Sequence, residues 1–185
     1  MSMILISGGS GSGKSAYAEA RAVSMHKKGG GSLIYAATMM IYDEESRQRV
    51  ERHRQMRAGK GFVTHEVPVN IVSLPANSGD TVLVECLSNL LANEMYEPSG
   101  AGESCSEVIV NGLRCLLERG VRLVIVTNEV FSDGIRYDDS TMLYLERLGK
   151  INVSLAEMAD EVIEVVAGIP VIRKGENASC LLSEI

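Results

Sequence analysis

The stretch Gly8-Gly9-Ser10-Gly11-Ser12-Gly13-Lys14-Ser15 follows the apolar run Met3-Ile4-Leu5-Ile6 and fits the phosphate-loop pattern at every defined position. Glycines let the backbone turn tightly and bring its N–H groups close to phosphate oxygens. Lys14 would then reach the outer phosphates, and Ser15, at the start of a helix, would offer its hydroxyl to Mg²⁺. A flexible Gly/Ser linker has no reason to place Gly-Lys-Ser between a buried strand and a helix. The stretch therefore predicts a nucleoside triphosphate site.

The size and charge of the chain limit its class. With 185 residues, 45% of them hydrophobic, it can bury one core, which predicts a single phosphate-loop nucleotide-binding catalytic domain over residues 1–185. A net charge of −6 argues against a nucleic-acid partner, because phosphate contacts require a basic surface. No apolar run approaches the roughly 20 residues that span a bilayer. Since the amino terminus also lacks a signal-peptide pattern, we expect a cytoplasmic location.

The cysteines do not indicate a metal or disulfide framework. The chain has four of them, and they are scattered without a close pair. A zinc site needs closely spaced ligand pairs, and a disulfide-stabilised fold is typical of much smaller secreted domains. We therefore expect Cys86, Cys105, Cys115 and Cys180 to be reduced thiols.

Apolar runs alternate with helix-forming stretches along the whole chain. Strands are predicted at residues 3–6, 33–37, 62–67, 81–85, 122–129, 161–166 and 171–172, with the last two joined by a turn over 168–170. Helices are predicted after Ser15 and over residues 43–57, 87–96, 105–119 and 141–158, the last with a candidate break at Gly149. This order predicts an α/β fold of the P-loop NTPase type. Its sheet would be mostly parallel, with helices on both faces and an antiparallel edge strand near the carboxyl terminus.

Polar residues follow several of these strands. Parallel sheets bind ligands beyond the carboxyl ends of their strands, so Thr38, Glu85 and Asn128 should converge with the phosphate loop. Glu85 occupies the place where phosphate-loop proteins keep the acid that holds Mg²⁺, although a solvated carboxylate at a strand end is the alternative. Glu129 could act as a second acid or only position a loop.

His53 has arginines four residues before and after it. On a helix this spacing places Arg49, His53 and Arg57 on one face. Guanidinium groups attract an anion and disfavour a charged ring, so the imidazole could be a neutral nucleophile held against a phosphate. The spacing alone favours an ordinary exposed histidine on a charged helix, because histidine is common on solvated helices. His26 is expected to be a surface residue at a helix end, and His65 has no partner that the sequence identifies.

Beyond the phosphate loop, an ordered set of stretches extends over nearly the whole chain. They are Tyr35-Ala36-Ala37-Thr38, Arg49-Val50-Glu51-Arg52-His53-Arg54, Val84-Glu85-Cys86-Leu87 with Asn93, Val126-Thr127-Asn128-Glu129-Val130, Gly134-Ile135, Gly149-Lys150-Ile151-Asn152, and Ala159-Asp160-Glu161-Val162 followed by Gly168-Ile169. In this set the chain resembles the bifunctional adenosylcobinamide kinase/adenosylcobinamide-phosphate guanylyltransferases of cobalamin assembly. The resemblance favours the nucleophile interpretation of His53.

The resemblance implies an enzyme that phosphorylates adenosylcobinamide with ATP or GTP and then transfers GMP from GTP to the new phosphate. The product would be adenosylcobinamide-GDP, and the guanylyl group would pass through a covalent adduct on His53. A homotrimer is also implied, with Lys14 as a second catalytic residue and Mg²⁺ held by Ser15 and Glu85. By family match the nucleotide site comprises Gly8, Gly9, Ser10, Gly11, Ser12, Gly13, Lys14, Ser15, Ala37, Thr38, Met39, Arg54, Gln55, Met56, Arg57, Glu66 and Glu85.

The chain departs from the family pattern in places, and other functions fit the phosphate loop. Glu85 replaces the aspartate common in the family, and Gly134-Ile135-Arg136-Tyr137 replaces Gly-Ile-Val-Pro in a loop that is a candidate for corrinoid contact. A monofunctional kinase or ATPase would use the loop and Glu85 without an adduct on His53. A regulatory ATPase that assembles on DNA would need a basic surface, which the composition does not offer.

Overall fold

A computed structural model describes residues 2–175 of the chain. The strands in this part are β1 (Met3–Ser7), β2 (Leu33–Ala37), β3 (Val63–Glu66), β4 (Thr81–Val84), β5 (Arg122–Val126), β6 (Glu161–Val166) and β7 (Ile169–Lys174). The α-helices are α1 (Lys14–Gly29), α2 (Glu44–Arg57), α3 (Leu87–Tyr96), α4 (Cys105–Glu118) and α5 (Asp139–Met158). Single 3₁₀ turns occur at Ile71–Ser73 and Gly102–Ser104. Cys180, included in the cysteine prediction, lies outside the described residues.

The strands form one sheet in the order β3-β2-β4-β5-β1-β6-β7. All neighbours pair in parallel except β6 and β7, which are antiparallel. The parallel strands point their carboxyl ends to one edge, where the phosphate loop leaves β1. The predicted P-loop NTPase-type sheet with an antiparallel edge strand is confirmed.

Successive side chains of each strand point to opposite faces of the sheet, and this divides the core into two layers. Met3 and Leu5 of β1 pack with residues of α3, α4 and α5, whereas Ile4 and Ile6 pack with residues of α1. All four side chains are at most 3% exposed. Side chains of successive strand residues point to opposite faces, so a parallel strand covered on both sides is apolar throughout. Helices therefore lie on both faces of the sheet, as predicted.

Several predicted boundaries were wrong, and the strand predicted over residues 122–129 ends at Val126. Helix α5 runs through Gly149 without a break, and it begins early because the Asp138 side chain accepts hydrogen bonds from the N–H groups of Ser140 and Thr141. The final turn lies at Ala167 and Gly168, whose φ angles are 49° and 83°. Two-residue hairpin loops favour such left-handed residues, so residues 169–170 begin β7. Proline is tolerated there because β7 is an edge strand.

The charged helix α2 is stabilised mainly at its ends. Asp43 caps its first turn by accepting a hydrogen bond from the Ser46 N–H group at 2.7 Å. Just past its last turn, Lys60 lies 2.5 Å from the carboxylate of Glu19, which α1 buries. The cap stabilises the first turn of α2, and the ion pair links the end of the helix to α1. Within the described part of the chain, no helix has both the length and the apolar character that a bilayer crossing requires.

Candidate active site

The phosphate loop connects β1 to α1 through left-handed glycines. Gly11 and Gly13 have φ angles of 69° and 89°, a region that residues with a side chain rarely adopt. Gly13 is the N-cap of α1 and offers no side chain to the first turn of the helix. The free N–H groups and the positive end of the helix dipole therefore face the loop, which is the usual environment of a bound phosphate.

Lys14 folds back over this loop. Its Nζ donates a hydrogen bond to the carbonyl oxygen of Gly9 at 2.9 Å, and the residue is 9% exposed. Burial lowers the pKa of the Lys14 amine, and the nearby Cys86 sulfur acts in the opposite direction. The Ser12 hydroxyl is buried and has no hydrogen-bond partner among the described residues. The loop thus presents an ammonium group at the position where an anion would bind, while the Ser12 hydroxyl is buried beside Gly8.

Gly8 is packed too closely for any side chain. A Cβ atom there would lie 2.6 Å from both the Ser12 Oγ and the Val165 carbonyl oxygen, whereas one on Gly9 would meet nothing within 4 Å. We expect Gly8→Ala to lower the free energy of unfolding by about 1–3 kcal/mol, the usual cost of overpacking. Urea unfolding followed by circular dichroism measures this, with Gly9→Ala as the matched control. Equal midpoints for the two variants would contradict the prediction.

A cleft of about 620 Å³ lies between the phosphate loop and α2. Loop residues that include Lys14 and Ser15 form one wall, and His53 of α2 forms the opposite wall. The floor comes from residues that follow the strands, among them Glu85 after β4 and Asn128 after β5. With Met39 after β2, the structure brings five separate sequence segments into one cleft at the carboxyl edge of the sheet.

His53 makes its closest polar contact with a carboxylate. Its Nδ1 lies 3.1 Å from Oε1 of Glu85 and 3.4 Å from the hydroxyl of Tyr35. The side chains of His53 and Glu85 are 21% and 7% exposed. Burial, and then the charge of Glu85, raise the pKa of the Tyr35 hydroxyl, which therefore stays protonated. These contacts orient the ring so that Nε2 is the nitrogen that faces neither partner.

Of the two arginines predicted to flank His53, Arg57 contacts Tyr35 and Thr64. The Arg57 guanidinium lies 3.5 Å above the centroid of the Tyr35 ring and donates to the Thr64 hydroxyl at 3.3 Å. Arg57 is only 7% exposed, because α2 turns this part of its face onto the β2–β3 edge of the sheet. The placement of the Arg49 side chain is not described, and its predicted contribution stays a prediction. Among the described side chains, the Glu85 carboxylate makes the closest polar contact with the imidazole.

A second cavity of about 280 Å³ lies on the other side of His53. Its wall includes Tyr35 and Ala37 of β2, and Glu66 at the end of β3. Arg54 and Arg57 contribute from α2. His53, Met39 and Glu85 line both this cavity and the cleft. The imidazole is therefore placed where the two spaces meet.

Four residues of the predicted nucleotide site line neither space: Gly8, Gly9, Thr38 and Gln55. Thr38 is fully buried, and its hydroxyl donates to the Cys86 carbonyl oxygen at 2.9 Å. It thereby fastens the ends of β2 and β4 beneath the cleft. Gln55 lies on the exposed side of α2 and donates to Glu51 at 3.3 Å.

Sequence reasoning assigned no role to several residues at the site. Tyr35 belongs to an apolar strand, and nothing in that run signals the contact between its hydroxyl and His53. Cys86 lines the cleft beside Lys14 and accepts a hydrogen bond from the Asn128 amide at 3.6 Å; burial raises the pKa of its thiol. Asn89, in the first turn of α3, lines the same cleft.

Glu129 lines the cleft and also positions the loop after β5. Its Oε1 accepts hydrogen bonds from the Phe131 N–H group and the Ser132 hydroxyl, each at 3.0 Å. Its own N–H group donates to the Gly8 carbonyl oxygen at 3.0 Å. Glu129 therefore fixes the loop after β5 against the phosphate loop.

The donor groups in the cleft fit a magnesium ion bound together with a nucleotide. The Ser15 hydroxyl and the Glu85 carboxylate line the same cleft and are hard oxygen ligands. Within residues 2–175, no three His, Cys, Asp or Glu side chains converge as a metal site. Mg²⁺ commonly binds through one or two protein oxygens, water and substrate phosphates, so the two groups are sufficient.

Comparison with known proteins identifies a matching family. The family model described as cobinamide kinase / cobinamide phosphate guanyltransferase matches residues 4–172. The bifunctional adenosylcobalamin biosynthesis protein CobU of Escherichia coli is 29% identical, covering 91% of this chain and 98% of the relative. CobP of Pseudomonas aeruginosa, named in the same way, is 30% identical over 93% of this chain and 97% of its own length.

Solved structures with the same fold are more distant in sequence. One ATPase domain superposes with a TM-score of 0.54 at 14% identity, covering 95% of this chain and 78% of that chain. A KaiC-like protein from Pyrococcus horikoshii superposes with a TM-score of 0.50 at 15% identity, covering 95% and 80%. At this identity the likeness concerns the fold alone, and it agrees with the P-loop NTPase architecture.

Proposed function

The chain belongs to the cobinamide kinase / cobinamide phosphate guanyltransferase family, and from this premise we propose that it converts adenosylcobinamide to adenosylcobinamide-GDP in two successive transfers. The position of His53 between the phosphate-loop cleft and the second cavity carries the proposal. A GTP with its phosphates in the cleft and its guanosine in the second cavity would pass its α-phosphorus by the imidazole. Both transfers then use a single set of phosphate-binding groups.

The first transfer is a phosphorylation. The hydroxyl of adenosylcobinamide attacks the γ-phosphorus of ATP or GTP, loses its proton, and releases the nucleoside diphosphate. Lys14 and the N–H groups of residues 11–15 face the transferring phosphoryl group and stabilise the charge that develops on its oxygens. Mg²⁺, when bound at Ser15 and Glu85, would supply further neutralisation of the phosphate charge.

The second transfer passes through His53. Its Nε2 attacks the α-phosphorus of GTP, a P–N bond forms, and pyrophosphate leaves with the bridging oxygen. A phosphate oxygen of adenosylcobinamide phosphate then attacks the same phosphorus, which breaks the P–N bond and returns a free imidazole. The contact between Nδ1 and Glu85 supports this assignment, because it leaves Nε2 as the nitrogen directed away from the carboxylate.

Glu85 and Tyr35 act in this scheme as positioning residues. Nδ1–H donates to the carboxylate, which fixes the tautomer and the ring orientation, as carboxylates do for histidines in many hydrolytic sites. The Tyr35 hydroxyl lies against the same nitrogen, and Arg57 holds the phenol ring from its other side. The buried carboxylate also stabilises the positive charge that the imidazole acquires when it bonds to phosphorus.

Glu66 is proposed to select guanine. It lines the second cavity, and a carboxylate accepts hydrogen bonds from both N1–H and the 2-amino group of guanine. We expect Glu66→Gln to raise the Kd for GTP by about 10- to 100-fold, the equivalent of one charged hydrogen bond. Titration with GTP and with inosine triphosphate, which lacks the 2-amino group, measures the effect. The variant should bind the two nucleotides alike, and an undiminished preference for GTP would refute the role of Glu66.

Turnover of adenosylcobinamide tests the proposed function directly. The protein is incubated with adenosylcobinamide, Mg²⁺, and ATP with or without GTP. The corrinoids are then separated and identified by mass spectrometry. ATP alone should yield adenosylcobinamide phosphate, and addition of GTP should yield adenosylcobinamide-GDP. Recovery of unchanged adenosylcobinamide from folded, nucleotide-binding protein would reject the function.

The remaining parts of the proposal rest on the family and on composition. A homotrimer, a cytoplasmic location, a single catalytic domain and the absence of a nucleic-acid partner fit a small biosynthetic enzyme with a net charge of −6. Sedimentation velocity at micromolar concentration tests the trimer, because a monomer of 20.0 kDa is readily distinguished from three copies.

A further inference from the structure

A large apolar groove lies outside the nucleotide site. It has a volume of about 1310 Å³ and lies between the loop after β5 and the outer face of α5. Its apolar lining includes Phe131 and Ile135 from the loop, and Met142, Leu143 and Val153 from α5. Each of these five side chains is at least 41% exposed. A cluster of exposed large apolar side chains at a concave surface is a candidate binding site.

We propose that this groove binds the corrin ring of adenosylcobinamide, an inference that rests on the proposed function and adds to it the location of the second substrate. Sites for drug-sized ligands usually have volumes of about 300–1,000 Å³, so a groove of 1310 Å³ suits a larger molecule. A corrin is a broad, largely apolar macrocycle, which matches the open shape and apolar lining of the groove.

The groove adjoins the phosphate-loop cleft. Val130 lines both spaces, and Glu129 next to it donates its N–H group to the Gly8 carbonyl oxygen at 3.0 Å. A ring in the groove therefore lies beside the cleft in which the phosphates are proposed to bind. The side chain of the corrinoid that carries the reacting hydroxyl can extend past Val130 toward the nucleotide.

The charged rim of the groove complements the same ligand. Asp133, Asp139 and Glu146 line it together with one base, Lys150, which is paired with Glu146 at 2.5 Å. The corrin periphery carries carboxamide groups that donate hydrogen bonds, and the alkylcobalt(III) centre leaves the macrocycle with a net positive charge. The carboxylates of the rim can accept hydrogen bonds from the carboxamides, and their excess of negative charge attracts the positively charged macrocycle.

Substitutions on the exposed face of α5 test the groove. Leu143→Arg and Val153→Arg each place a cation and a long side chain in it, and both positions are exposed enough to accept arginine without loss of the fold. We expect each variant to raise the Kd for adenosylcobinamide at least tenfold, measured by equilibrium dialysis with the absorbance of the corrinoid itself. Protein-bound label from α-labelled GTP should not change, because His53 and the nucleotide lie in the neighbouring spaces.

Val63→Arg is the matched control. Val63 is 53% exposed on β3, and its side chain faces away from the sheet face of Thr64 and Glu66, which line the second cavity. It should leave the Kd within twofold of the wild type. Unchanged corrinoid binding in both groove variants would overturn the proposal. A change in their sedimentation coefficient would also overturn it, by assigning the groove to contacts between copies of the chain. Failure of the wild type to bind adenosylcobinamide would instead reject the proposed function.

Discussion

Replacement of His53 by alanine is expected to abolish protein-bound label from α-labelled GTP and to lower formation of adenosylcobinamide-GDP by at least about 10⁴-fold, since loss of a catalytic nucleophile typically costs this much or more. The wild type should carry a label that is stable to denaturation and released by acid, as expected for a phosphorus–nitrogen bond. Incubation with Mg²⁺ and α-labelled GTP, denaturation and counting measure the effect.

Two further variants separate loss of the nucleophile from loss of the fold. His53→Gln keeps an N–H donor near the buried Glu85 carboxylate, so a charge without a partner does not destabilise the site. His65→Asn replaces a histidine on β3 that lines neither space. The first should be as unlabelled as His53→Ala, and the second should be labelled normally. Label retained on His53→Gln would place the adduct on another residue.

The phosphorylation step should survive the loss of His53. Adenosylcobinamide phosphate should then accumulate, because the kinase step uses the phosphate loop and has no need of the imidazole. If the protein had the kinase activity alone, the wild type itself would carry no label from α-labelled GTP. The two activities can therefore be counted separately in one reaction mixture.

Most of the fold was predictable because it depends on local patterns. The apolar runs of β1 and β5, the glycines of the loop and the cap at Asp43 each determine their own element. The break at Gly149 was wrong because tertiary packing overrides the weak helix propensity of glycine: Leu148 and Ile151 are buried on either side of it. The final turn was predicted over residues 168–170 because Pro170 is typical of turns. The left-handed residues that form the turn are instead Ala167 and Gly168.

The site was predictable only in its parts. A strand end predicts that Glu85 lies at the carboxyl edge of the sheet, but the register of α2 decides that this carboxylate meets Nδ1 of His53. Spacing on the helix placed Arg57 on the same face as His53, but only the packing of α2 places its guanidinium over the Tyr35 ring. The apolar groove involves a loop whose residues have no periodicity. Contacts of this kind depend on how elements pack, which no local pattern encodes.

Replacement of Lys14 by methionine is expected to lower the phosphorylation rate by about 10³-fold, because a preorganised cation at developing phosphate charge contributes an effect of this size. The Lys14 ammonium folds over the loop at 2.9 Å from the Gly9 carbonyl oxygen and shares its cleft with His53. Methionine keeps most of the apolar stem and removes only the charge. Initial rates of adenosylcobinamide phosphate formation measure the change, and Lys28→Met, which alters an exposed lysine on the same helix, is the matched control.

The same variant tests whether one set of phosphate-binding groups serves both transfers. If the triphosphate of GTP occupies the phosphate loop during the attack by His53, Lys14→Met should also slow labelling from α-labelled GTP, by at least about tenfold, because the ammonium then neutralises the departing pyrophosphate. Fast labelling combined with slow phosphorylation would place the guanylyl donor outside the loop. Since His53→Ala removes only the second transfer, whereas Lys14→Met should impair both, the pair of variants distinguishes a shared site from two adjoining ones.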